Sequence, residues 1–195
     1  MNIHEYVHTQ PNYGYNLLSQ SLCEGASDFI TALVTGKQIP LPYMDYGKAK
    51  ETSLKEKFKS EMFGDPWDTW LYNNGHGTEV ADLGYFMGYR ICQSFYQRVK
   101  NKKQAVKEII GLNFQDSIMI ENFLSKSGYY PEGFNKAALL ATLESKISVV
   151  TNVASATVNL KPGTRYGFIM TNRSFRSAEG YPLNPYEVKF EMAPQ

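Results

Sequence analysis

The sequence predicts an α+β protein, with a mostly helical region over residues 1–146 and a small β-rich tail over residues 147–195. Three observations predict it. Apolar residues recur at helical spacing through much of the first region, as at Leu17, Leu18, Leu22, Phe29, Ile30 and Leu33. After Ile147 the pattern changes to β-branched and aromatic residues, among them Val149, Val150, Val153, Val158, Tyr166, Phe168 and Ile169. A length of 195 residues with 43% hydrophobic content suits one medium domain, or one domain with a small appendix, and is enough to bury a core.

Taken in order, residues 2–10 read as a first helix that Pro11 and the Asn12-Tyr13-Gly14 cluster end. A second helix spans Asn16 to about Thr35, with Gly36 closing it. Pro40 and Pro42 make 38–46 a loop, and 47–62 is a charged surface helix with one packed stripe at Leu54, Phe58 and Met62. Residues 63–81 hold both tryptophans and His76 and read as a packed irregular stretch. Asp82 is expected to cap a helix over 83–99. On its surface Gly84 and Gly88 share a face that lets another helix approach, and the first helix is the expected partner. Short helices follow at 103–112, 116–126 and 135–146, then strands near 147–152, 156–160, 164–171 and 186–192, with a turn at Lys161-Pro162-Gly163-Thr164.

The bulk properties exclude several classes. Lys+Arg 20 against Asp+Glu 19 gives a net charge of +1, which points to neither nucleic acid nor an anionic membrane. No apolar run approaches a membrane span. Cys23 and Cys92 both fall in predicted helices and read as small buried residues, not a disulfide. There is no G-x-S-x-G, no phosphate-binding Gly loop and no Cys-x-x-Cys pair.

One stretch carries chemistry. His4-Glu5-Tyr6-Val7-His8 is an H-E-x-x-H pattern, and it takes two of only three histidines in the chain. On a helix His4 and His8 leave one face, so both imidazoles can hold one zinc ion. Glu5 stands beside that face, where a carboxylate can take a proton from an attacking water. Zinc needs a third protein ligand, and Glu24, on a helix returning past the first, is placed to supply it. Asp28 follows Glu24 by one turn and is expected to accept the outer N–H of a ligand histidine.

This arrangement resembles the thermolysin-like zinc peptidases called gluzincins, in which H-E-x-x-H is completed by a Glu from an E-x-x-x-D helix. A closer resemblance joins Glu24-Gly25-Ala26-Ser27-Asp28-Phe29, Asp82-Leu83-Gly84-Tyr85-Phe86-Met87-Gly88-Tyr89 and Phe123-Leu124-Ser125-Lys126-Ser127-Gly128-Tyr129. These look like the motifs of bacterial predicted Zn-dependent proteases similar to gliding-motility lipoprotein B, and the match runs from residue 3 to about 130. The resemblance implies a zincin-like metallopeptidase region over 1–146 whose N-terminal, substrate-binding sheet lies outside this chain. It also implies export of the full-length protein to the periplasm or cell envelope as a lipoprotein, although the chain shows no signal peptide and no lipidation cysteine. Residues 160–190 resemble the closing half of a bacterial Ig-like domain, with fewer strands than a complete sandwich needs.

The expected function is therefore zinc-dependent hydrolysis of a peptide bond in a peptide or protein substrate. Glu5 would act as general base, and Tyr85 as the donor to the developing oxyanion, with Tyr89 and His76 behind it. Tyr85 reads equally well as an aromatic core residue. His76 reads as a loop residue without a role, and Arg90 as half of a surface ion pair. The alternative is a non-catalytic envelope or surface protein, with a structural or vestigial zinc and a partner-binding β tail.

Overall fold

A computed structural model of the chain describes residues 3–7, 13–73, 79–143, 165–170 and 186–191. The chain forms two compact units, Met1–Leu139 and Leu140–Gln195. Seven helices are assigned in the first: α1 Ile3–Val7, α2 Leu17–Thr35, α3 Pro42–Glu61, α4 Trp67–Trp70, α5 Leu83–Arg98, α6 Lys102–Ile110 and α7 Ser117–Ser127. Residues 136–143 are also helical.

The first unit is built around α2, in which every residue from Leu17 to Ile30 is buried. Its start is fixed locally: Asn16 Oδ1 accepts the Ser19 N–H at 2.9 Å, and Ser19 Oγ accepts the Asn16 N–H at 3.1 Å. This reciprocal cap satisfies N–H groups that a helix start leaves open. The N–H groups of Leu17 and Leu18 reach instead to the carbonyls of Gly64 and Met62, both at 2.8 Å, which ties α2 to the end of α3. At the other end Gly36 takes φ 66 and returns its N–H to Ala32.

Packing of α2 on α5 is backbone against backbone. A Cβ placed on Gly88 would stand 1.7 Å from the Ser21 carbonyl oxygen, and one on Gly25 would stand 2.1 Å from the Tyr89 nitrogen. The close face of α5 thus receives α2, the helix of Glu24 and Asp28, and not α1 as the sequence suggested. The close approach also draws the α2 carboxylates in under the α5 aromatics.

Two further expectations change. Helix α3 begins at Pro42, inside the predicted loop, because a proline at the first helical position has its φ already set and gives up no needed N–H. Asp82 does precede α5, but its φ is 61 and its side chain makes no capping hydrogen bond. Leu54, Phe58 and Met62 do form the packed stripe of α3. Trp70, in the irregular stretch, is buried against Phe58 with ring centroids 5.2 Å apart.

The expected α+β fold with an Ig-like tail is not what the structure shows. Among the described residues the protein is mostly helical. The strand structure described in the second unit is one antiparallel ladder, β1 Arg165–Met170 against β2 Tyr186–Glu191, with Phe168 opposite Val188. β-branched composition marks residues that fit a ladder, but a sandwich needs two packed sheets, and a single ladder is not one. The other predicted strands lie outside the described residues. No described helix is long and apolar enough to cross a membrane.

Candidate functional site

The site is assembled where α1 lies on α2. His4 is half-buried at that contact, while Glu5 and Tyr6 face solvent. His4 Nδ1 and Asp28 Oδ1 are 2.8 Å apart, a hydrogen bond in which the ring N–H donates. The other ring nitrogen, Nε2, faces Glu24 Oε2 at 3.5 Å. The two carboxylates, one turn apart on a buried helix, therefore address opposite nitrogens of one imidazole.

Each carboxylate is held from behind. Asp28 Oδ2 accepts the Tyr43 hydroxyl at 2.7 Å. Glu24 Oε1 accepts the Tyr72 hydroxyl at 2.5 Å and Gln20 Nε2 at 3.1 Å, and Gln20 is itself fixed by the Gly14 N–H at 2.7 Å. The Glu24 carboxylate is thereby divided, with Oε1 engaged by phenol and amide and Oε2 turned to His4. Burial without such partners would cost several kcal/mol for each charge.

The electrostatics follow from this enclosure. Hydrogen bonds to Asp28 and then Glu24 raise the His4 imidazole from its ordinary 6.5 to about 9, against the opposing effect of burial. Burial, reinforced by Asp28 at Tyr43 and by Glu24 at Tyr72 and Tyr85, drives these three phenols far above their ordinary range, so all remain protonated donors at neutral pH.

Tyr85, on α5, lies beside His4. Its ring stacks parallel to His4 at 6.4 Å between centroids, and it meets Tyr43 at 5.5 Å and Tyr72 at 6.2 Å. Tyr89 turns to another surface, edge-on to Phe29. Arg90 pairs with Glu51 at 2.8 Å and with Gln93. Burial and then the Glu24 charge push the Cys23 thiol up to about 12, and burial raises Cys92 as well, so neither is a nucleophile at neutral pH. His8 and His76 lie outside the described residues.

Tyr43, Tyr72 and Gln20 escaped the sequence analysis. Gln20 stands one turn before Glu24 on the same face, a signal that was legible. Tyr72 sits at φ 56, a backbone conformation that is uncommon and costly for a bulky residue.

Zinc is tested by the donors present. Two ligands about 2.0–2.1 Å from a tetrahedral zinc stand about 3.4 Å from each other. The His4–Glu24 separation of 3.5 Å fits such a pair. Among the described residues no group of three or more His, Cys, Asp and Glu side chains is gathered that would hold an ion, and the third expected ligand, His8, is not one of them. His4, Asp28, Tyr43 and Tyr85 line an open cleft of about 610 Å³.

No protein-family model matches the chain, and neither a curated protein nor a solved structure matches it.

Proposed function

We propose that the chain carries the catalytic centre of a zinc-dependent peptidase, with zinc held by His4, His8 and Glu24. The observation that supports this most directly is the bracketing of His4, Nδ1 by Asp28 at 2.8 Å and Nε2 by Glu24 at 3.5 Å. An imidazole whose N–H goes to a carboxylate presents the lone pair of its other nitrogen outward, as metal-binding histidines do.

Zinc so bound would supply Lewis acidity to an attacking water and to the scissile carbonyl. The chain's own groups do the rest. Glu5, exposed on α1, takes one proton from the water at a carboxylate oxygen and returns it to the leaving amine nitrogen. Asp28 fixes the His4 tautomer and ring direction, and Tyr43 fixes Asp28. Tyr72 and Gln20 hold the far oxygen of Glu24, so the near one stays aimed at His4. Tyr85, a protonated phenol stacked on His4, is the donor proposed for the oxyanion.

The deciding experiment uses Glu5→Gln. Zinc content should stay at the parent's level while hydrolysis of a peptide library falls about 10²–10⁴-fold. Equal cleavage by parent and variant, or none by a zinc-loaded parent, removes the catalytic claim. A zinc-loaded parent that cleaves nothing would be a binding protein with a structural metal.

A further inference from the structure

Leu41 stands where a helix ordinarily places a polar residue. It is the N-cap of α3, in extended backbone at φ −115 and ψ 142, and its side chain gives that helix start no hydrogen bond. Ser, Thr, Asp and Asn are strongly preferred at such a position because their oxygens accept an open N–H, and an aliphatic residue cannot. Burial does not offset the lost cap, since Leu41 is 41% exposed. Nor is it a lone surface leucine. It belongs to the apolar run Ile39-Pro40-Leu41-Pro42, in which Ile39 is half-buried and the other three are exposed. An exposed apolar run of this length disfavours the folded chain unless a ligand covers it.

The run borders the proposed reacting centre. Ile39, Pro40 and Leu41 line the cleft of about 610 Å³ that His4, Tyr43 and Tyr85 also line. Such a lining of aliphatic and aromatic side chains beside a few placed polar groups is the ordinary make-up of a ligand cleft. Its charged groups set no preference for a charged guest. Asp28 has both carboxylate oxygens engaged, one by His4 and one by Tyr43. Lys37 and Asp82 bring one charge of each sign.

We propose that this cleft receives an apolar side chain, aliphatic or aromatic, from a residue adjoining the scissile bond, and that Ile39 and Leu41 select it. The proposal rests on the peptidase reading for the ligand being a peptide. Because His4 and Tyr85 belong to both the cleft and the reacting centre, a carbonyl held there lays its neighbouring side chain along the Ile39–Leu41 wall. Leu41 is thereby a specificity residue, and its apolar side chain serves the guest at the expense of the helix cap.

The test measures binding, not turnover. Zinc-loaded Glu5→Gln protein is titrated with labelled, end-blocked heptapeptides of glycine and serine carrying one central Leu, Phe, Lys, Asp or Ser. The Leu and Phe peptides should bind at least about tenfold tighter than the Ser control, as apolar groups do in an apolar pocket, and the Lys and Asp peptides should not. Adding Leu41→Asp should erase that gain, whereas Leu41→Met should keep it. Aspartate is also the better N-cap, so Leu41→Asp should raise the urea midpoint while it abolishes the preference. A residue that served only to hold the fold would lower the midpoint instead. Equal affinity for all five peptides, no detectable binding, a gain for Lys or Asp, an unchanged preference in Leu41→Asp, or a lowered midpoint overturns the proposal. An apolar preference in a zinc-loaded parent that cleaves nothing would sink the peptidase reading alone. Cleavage by a parent with no apolar preference would sink the cleft assignment alone.

Discussion

Tyr72 reaches across 48 residues of sequence to place its hydroxyl 2.5 Å from Glu24 Oε1, and it does so from a left-handed backbone. Such a conformation costs a non-glycine residue on the order of 1–2 kcal/mol. It is kept because the hydroxyl also accepts Gln20 Nε2 at 2.7 Å, closing a three-member network on the proposed ligand.

Tyr72→Phe keeps the ring and removes that contact. Glu24 then loses a donor on the oxygen facing away from His4, and its orientation loosens. Zinc affinity, measured by competition with a chromogenic chelator, should fall about 10–100-fold, the usual effect of losing a partner behind a metal ligand. Unchanged affinity would mean that Tyr72 does not position Glu24 for a metal.

The metal-free protein should show His4 in its pH dependence. The folded imidazole titrates at about 9, above its ordinary 6.5. The folded state therefore binds the proton more tightly. Its contribution to stability is fully present below about 6.5 and is lost as pH rises through about 9. In chelator, the urea-midpoint difference between parent and His4→Gln should shrink across that window. A difference that grows with pH would show that the sign is wrong.

Gly88→Ala tests the α2–α5 contact. Alanine is the better helix former by about 1 kcal/mol, so on propensity alone it should stabilise α5. The added Cβ, however, would meet the Ser21 carbonyl at 1.7 Å, and two backbones must part to admit it. Urea unfolding should show a loss of about 3 kcal/mol, the upper end of ordinary overpacking. A gain in stability would mean that the helices are not so close.

Helical spacing put Glu24 and Asp28 on one face, four residues apart, whereas the meeting of that face with His4 was expected from the motif resemblance and a returning second helix. The sequence did not carry Tyr43 or Tyr72, whose contacts with those carboxylates span 15 and 48 residues. Nothing periodic announces such pairs. The Gly-x-x-x-Gly face of α5 was legible as a packing device, but its partner depends on how the helices assemble. Asp82 was misread as a cap because the residue type favours that role, while its positive φ is set by its surroundings. The tail was misread because strand-forming residues were counted as strands of a sandwich, where the structure describes a single two-stranded ladder.

Helix α2 joins two tasks that many folds keep apart. The residues from Leu17 to Ile30 are at once the packed centre of the first unit and the mounting for Glu24 and Asp28. A substitution there alters packing and site together, which leaves the helix little latitude for functional drift. The cleft's outer wall, at Lys37, Gln38, Ile39 and Leu41, is largely exposed and can vary at small energetic cost. New ligand preferences in this scaffold should accordingly be sought by randomising that rim with α2 left untouched.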